Sequence, residues 1–215
     1  MNRGAGRMLL HFDYDGVLVD SFDQLLSAFR QTAADTGLGR PPTRNDFETI
    51  EDLHAAGLAA LLGVPEREVE RYTRRTHALL EADGYEPAIF PGIPDLLKTL
   101  SRRHTIAIVT SNYEHLVRQG LARNGVDECV SLVLDAKQPG AKSEKIRHAL
   151  AHFRIPPKEG FMIGDTRGDI RHGRSAGVRT VGVTWGYQAR ATLMKEGPDF
   201  IVDSPGELLR LLAPG

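Results

Sequence analysis

Cysteine is almost missing from this sequence. Cys129 is the single one among 215 residues, so no intrachain disulfide can form, a thiolate metal cage is disfavoured, and a reducing cytoplasm is the expected setting. Cys129 itself reads as a small hydrophobe rather than a nucleophile. Charge of one sign is also missing in excess. The 27 Lys and Arg against 28 Asp and Glu leave a formal net charge of -1, so no global field draws nucleic acid, and no like-charged run forms an interaction tail. Nowhere do the ~20 consecutive apolar residues of a membrane helix occur. After Arg3 and Arg7, the apolar stretch Met8–Phe12 meets Asp13 before reaching the roughly 7–15 residues of a secretory signal core. The expectation is a chain without a leader and with neither nucleic-acid nor membrane partners. Its oligomeric state is not legible.

What the sequence does hold is a series of short apolar runs: Met8–Phe12, Thr105–Val109, Val130–Leu134, Phe161–Ile163, Thr180–Val183 and Phe200–Val202. They lack polar alternation and several end at Asp, Thr or Gly, as strands buried on both faces do. Helical patterns separate the later ones, over Pro94–Leu100, Glu114–Arg123, Ser143–Phe153 and Ile170–Ala176. Alternation of this kind predicts an α/β fold, a Rossmann-like parallel sheet with helices on both faces, whose ligand sits at the carboxyl ends of the strands. From Ser21 to about Ile89 the alternation stops and no strand is predicted. Phe22, Leu25, Leu26, Phe29 and Ala33 form a helical stripe, Asn45–Leu62 a second helix with Asn45 as N-cap, and Val69–Leu80 a third opened by Pro65. The reading is a core made of 1–20 and 90–215, with an all-helical segment inserted over 21–89.

Chemistry concentrates in four places. The stretch Asp13-Tyr14-Asp15-Gly16 leaves the first predicted strand. Alternate residues of a strand share a side, so Asp13 and Asp15 face one site, where paired carboxylates need a cation or a shared proton. A calcium loop is excluded by spacing, since its glycine would fall at Leu18 and its closing glutamate at Gln24. Gly164-Asp165-Thr166-Arg167-Gly168-Asp169 supplies two more acids four apart, on one face if a helix begins there; the simpler alternative is that Asp165 caps that helix. Carboxylates without histidine or thiol neighbours suit a hard cation such as Mg2+. Thr110, Ser111 and Asn112 end the second core strand and can hold phosphate oxygens, or else merely cap the next helix. Lys142, at a helix start, opposes the helix dipole unless an anion lies nearby.

The order of these motifs resembles the haloacid dehalogenase superfamily over nearly the whole chain. Asp13–Ser21 is similar to its first motif, with Tyr14 where Phe or Leu is usual. Val109-Thr110-Ser111-Asn112 resembles the second, Lys142 the third (with Ser143 where Pro is common) and Gly164–Asp169 the fourth. Phe90-Pro91-Gly92-Ile93 resembles the return from the cap, and Thr184-Trp185-Gly186-Tyr187 a loop of phosphoglycolate-phosphatase-like members.

The resemblance implies a magnesium-dependent phosphatase, with 1–20 and 90–215 as its catalytic core and the all-helical segment over 21–89 as a cap. Asp13 would be the nucleophile and become a phospho-aspartate. The metal ligands would be Asp13, the backbone carbonyl of Asp15, Asp165 and, directly or through water, Asp169. Lys142 and Thr110 would hold phosphate and nucleophile, and Asp15 would act as acid and then base. The partner would be a small phosphorylated metabolite.

Three relatives within the resemblance fit less well. Dehalogenases lack the second Asp. Phosphonatases need a cap lysine, and none lies between Asp20 and Pro94. Sugar phosphomutases, the runner-up, carry a His where Leu25 stands. A non-catalytic binding protein on the same fold would have lost a catalytic Asp. The substrate is not in the motifs; phosphoglycolate is the first candidate, and the loop Gly39–Arg44 is expected to place an arginine over an acidic leaving group. His11, His54, His77, Arg171 and His172 are read as structural or solvated.

Overall fold

The computed structural model describes residues 7–213 apart from 52 and 83; Arg3 and the extreme ends of the expected core lie outside them. The first strand, β1 (Leu9–Phe12), is buried at every position, including His11. Two short segments, β2 (Val19–Asp20) and β3 (Ala88–Ile89), pair antiparallel with each other. β4 (Thr105–Val109), β5 (Leu132–Leu134), β6 (Gly160–Gly164), β7 (Arg179–Val183) and β8 (Phe200–Val202) complete the set. The main sheet is parallel throughout, in the order β5-β4-β1-β6-β7-β8. Phe12 lies level with Ile108 on one side and Ile163 on the other. Asp13, Thr110 and Asp165 therefore leave the sheet at one edge.

Because both faces of such a sheet must be covered, its side chains divide between two apolar clusters. Leu10, Phe12, Ile106, Ile108 and Ile163 join α5 (Ile93–Ser101), α6 (Glu114–Arg123) and α10 (Pro205–Leu212). Leu9, Ala107, Val109 and Met162 join α7 (Lys142–Phe153) and α8 (Arg167–Ala176). A short α9 (Arg190–Met194) follows β7.

Between β2 and β3 lie α1 (Phe22–Thr36), α2 (Arg44–Thr49), α3 (Ala55–Leu61) and α4 (Val69–Ala82). They enclose an apolar cluster of their own, with Phe22, Phe29, Phe47, Leu58 and Tyr72, into which Tyr187 of the β7–α9 loop inserts. Tyr187 meets Phe22 and Phe47 edge to face, with ring centroids 5.5 and 6.2 Å away. No helix among the described residues is long and apolar enough to cross a membrane.

Several expected elements differ. Asn45–Leu62 is two helices, not one. Ile50 takes an extended backbone and buries its side chain, and His54 restarts the chain by accepting the Gly57 N–H on Nδ1 at 3.1 Å. Thr43, not Asn45, caps α2. Asp46 accepts from the Thr43 N–H at 2.7 Å and its hydroxyl at 2.8 Å, forming a capping box. Pro65 opens a single 3-10 turn, Glu66–Glu68, that leads into α4. The fifth strand starts at Leu132 because the Val130 N–H turns back to the Asp127 carbonyl. β3 was not foreseen. Two residues of backbone pairing between the segments that lead into and out of the insert leave no hydrophobic period to read.

Candidate active site

At the carboxyl edge of the sheet, β1 delivers Asp13 and Asp15 to different neighbours. Lys142, the first residue of α7, brings Nζ within 2.6 Å of Asp13 Oδ2 and 2.7 Å of Asp169 Oδ1. A cation at a helix N-terminus is thus matched by two buried anions. Asp165 follows β6 and is fully buried, as is Asp169. Thr166, not Asp165, caps α8: its hydroxyl accepts the Asp169 N–H at 3.2 Å and donates to Asp169 Oδ2 at 2.6 Å. The cap holds Asp169 in place and leaves Asp165 available.

Among the described residues, Asp13, Asp165 and Asp169 form the one cluster of potential metal ligands, with an oxygen from each within 4.8 Å of the others. Asp165 Oδ2 accepts the Tyr187 N–H at 2.7 Å, while Oδ1 is buried without a partner. The packing around it is tight. A Cβ on Gly16, which has φ +77°, would stand 2.2 Å from Asp165 Oδ2, and one on Gly186 would stand 2.3 Å from the same atom. Three buried carboxylates face one ammonium, which leaves negative charge unpaired. Burial, opposed by Lys142 and reinforced by Asp169, pushes Asp13 up to about 7. Burial followed by Asp169 and Asp13 pushes Asp165 well above the carboxylate range. Burial works against the Lys142 charge, but Asp13 and Asp169 outweigh it and hold the ammonium above its ordinary value. An orphaned buried carboxylate oxygen among all-oxygen donors fits a hard divalent cation such as Mg2+.

Asp15 is held apart from this cluster. Its Oδ1 accepts from Ser21 Oγ at 2.7 Å and from the Tyr85 hydroxyl, and its Oδ2 accepts from Asn112 Nδ2 at 3.2 Å. Burial raises its pKa, while these three donors pull the other way. Ser21 is bonded in turn to the Tyr187 hydroxyl at 2.5 Å. Asn112 therefore spends its amide on Asp15, with its Oδ1 accepting the Tyr113 N–H at 2.8 Å. Thr110 is buried beside Asp13, its hydroxyl accepting the Asn112 N–H at 3.0 Å, and Ser111 is half-buried.

Asp13, Asp15, Thr110 and Ser111 line a cavity of about 70 Å3 roofed by the helical insert. His54 and His77 line it too, the latter through a 2.7 Å bond between Nδ1 and the Tyr113 hydroxyl. The expected arginine is not there. Arg40 is gripped by both oxygens of Asp46, at 2.5 and 2.8 Å, and Arg44 stacks 3.8 Å over the Phe22 ring. Arg171 and Arg167 reach across to Glu51, with nitrogen–oxygen distances of 3.3 and 3.8 Å, tying α8 to the insert. Tyr85, Ser21 and Tyr187 were not read as site residues. Ser21 and Tyr187 stood in motifs already singled out, whereas Tyr85 follows Gly84 with no pattern around it.

A family model described as haloacid dehalogenase-like hydrolase matches residues 10–183. A pyrophosphatase PpaX from Anoxybacillus flavithermus is 29% identical over 219 residues, covering 94% of both chains. A phosphoglycolate phosphatase from Synechococcus elongatus is 27% identical over 200 residues, covering 93% of this chain and 94% of its own. A solved structure of a haloacid dehalogenase-like hydrolase from Streptococcus pneumoniae superposes with a TM-score of 0.83 at 24% identity, covering 96% of this chain and 99% of its own; its likeness is one of fold.

Proposed function

The chain belongs to the haloacid dehalogenase-like hydrolases, and within that family we propose that it is a magnesium-dependent phosphatase acting on a small phosphate monoester through a phospho-aspartate at Asp13. The observation that carries this reading is the separation of the two β1 carboxylates. Asp13 is fixed by Lys142 beside the acidic cluster, and Asp15 is held 2.7 Å from Ser21 on the insert side. One acid is dressed as a nucleophile and the other as an acid and base.

Asp13 Oδ2 attacks phosphorus, and the P–O bond to the leaving alcohol breaks. Asp15, on the side of the cavity facing the insert, donates the proton that the leaving oxygen needs. It then takes a proton from the water that attacks phosphorus and releases phosphate from Asp13. Lys142 and Thr110 orient the phosphoryl oxygens. A magnesium ion held by Asp13, Asp165, Asp169 and the Asp15 carbonyl would offset the repulsion between the Asp13 carboxylate and the phosphate dianion. The helices α1–α4 act as a cap that excludes bulk water. Leu25, with no polar head, supports water rather than a sugar hydroxyl as acceptor.

A cytoplasmic setting suits the lone Cys129. The relatives named phosphoglycolate phosphatase make that acid the reference substrate. The test is phosphate release from p-nitrophenyl phosphate with magnesium. Asp13→Asn should abolish it, and release within a fewfold of wild type would contradict the nucleophile.

A further inference from the structure

The cavity between the catalytic carboxylates and the insert carries an unexpected chemistry. The leaving oxygen must lie against Asp15, so the group it belongs to extends into the space that Asp15 shares with the insert. That space is roofed by Leu25, Phe29, Phe47, Leu53, Leu58 and Leu80, and no lysine or arginine lines it among the described residues.

Thr76, Tyr187, His77 and His54, which face the cavity from the insert and the β7–α9 loop, are already engaged within the protein. The Thr76 hydroxyl bonds the Tyr72 carbonyl at 3.1 Å and Thr32 at 3.0 Å. The Tyr187 hydroxyl bonds Ser21. His77 is bonded to Tyr113, and burial holds its pKa below the ordinary value. His54 accepts the Gly57 N–H on Nδ1 at 3.1 Å. The Lys142 ammonium is divided between Asp13 and Asp169. Arg74, Lys137 and Lys145 line an adjoining cavity of about 750 Å3, which meets the first at His54, Ala55, His77 and Ser111 and does not reach Asp15. Lys145 there is bonded to the Asp135 carbonyl at 2.6 Å. These groups suit attraction of a phosphate dianion towards the site rather than recognition of a second anion within it.

Resting on the phosphatase reading, we infer that the alcohol carried by the phosphate is short, uncharged and largely aliphatic. A carboxylate or a second phosphate attached beside the ester would be buried against leucine and phenylalanine beside two acids. Such a charge loses its hydration with nothing in return. An aliphatic chain in the same place is favoured in proportion to the area it buries. This points away from both phosphoglycolate and pyrophosphate, although relatives carry those names.

The experiment compares kcat/KM for propyl phosphate, phosphoglycolate and pyrophosphate on the wild-type enzyme with magnesium, alongside p-nitrophenyl phosphate. Propyl phosphate should exceed phosphoglycolate and pyrophosphate, which carry a second charged group, by about tenfold or more. Leu53→Arg, at a half-buried position of the roof, should move the ratio of phosphoglycolate to propyl phosphate up by a similar factor. Because both substrates are measured on one preparation, partial loss of folded enzyme cancels. Phosphoglycolate or pyrophosphate preferred by the wild type, or a ratio unmoved by Leu53→Arg, would overturn the inference while p-nitrophenyl phosphate turnover keeps the phosphatase reading standing. No phosphate released from any of the four would overturn both.

Discussion

Tyr85 donates its hydroxyl hydrogen to Oδ1 of Asp15, joining the segment that returns from the insert to the carboxylate two residues beyond the nucleophile. Ser21, on the segment that enters the insert, bonds the same oxygen. The acid and base is thus steered from both connections of the insert, and removal of one donor should loosen its aim without touching the phosphate. Tyr85→Phe is expected to lower kcat by about tenfold and to leave KM within about twofold. Steady-state kinetics check this. A raised KM with unchanged kcat would place Tyr85 in binding instead.

The acidic cluster predicts a response to metal that is visible without turnover. Asp13, Asp165 and Asp169 repel one another in a buried site. Magnesium, binding only the folded chain, should raise the Tm with concentration. Asp165→Asn should raise the Tm of the metal-free protein and remove most of the magnesium effect. Thermal unfolding with and without magnesium measures both, and equal magnesium stabilisation of the two proteins would contradict the assignment.

Tyr14 and Gly120 are coupled. The Tyr14 hydroxyl is buried without a partner, and a Cβ on Gly120 would stand 2.1 Å from that oxygen but 3.4 Å from Cζ. Tyr14→Phe should therefore stabilise, by up to about 1 kcal/mol. Gly120→Ala should cost about 1–3 kcal/mol in the wild type through overpacking, yet stabilise in the Tyr14→Phe background, where the better helix former gains up to ~1 kcal/mol. Urea unfolding of the four proteins of the cycle tests this. Additive effects would refute the coupling.

His11 predicts acid sensitivity of the fold. Burial lowers its pKa from 6.5 to about 4, against the opposing bond to the Phe161 carbonyl. Between those values the unfolded chain binds a proton that the folded chain does not. The contribution of His11 is therefore full above pH 6.5, lost as pH falls towards 4, and level below. His11→Val should flatten the stability curve across that window in denaturant titrations, whatever its effect at neutral pH.

The parallel sheet and the acids at its edge were legible because apolar runs without alternation demand burial on both faces, and all but Phe161–Ile163, where Gly164 precedes Asp165, ran directly into an acid or a hydroxyl. Asp13, Asp165 and Thr110 could be placed at one edge because the strands of a parallel sheet end on the same side. The split between α2 and α3 was not legible, since Ile50 and Leu53 satisfy helical spacing whether or not the chain breaks at them. Nor was the fate of Arg40. The sequence shows two arginines in a loop but not that Asp46, six residues on from Arg40, binds both terminal nitrogens of its guanidinium. Tyr85 was invisible for the opposite reason: a single hydroxyl reaching over 70 positions to Asp15 leaves no local pattern.

The most direct test of the phosphatase account is to trap the intermediate. Asp15→Asn should transfer phosphate from p-nitrophenyl phosphate, whose leaving group needs little help from an acid, and then stall for want of a base. Rapid quenching with borohydride, which reduces an acyl phosphate to an alcohol, followed by peptide mass mapping, should find homoserine at position 13 in nearly every chain. A p-nitrophenol burst of one equivalent should accompany it. Steady release of p-nitrophenol with aspartate intact at position 13 and no modified residue elsewhere would contradict covalent catalysis by Asp13.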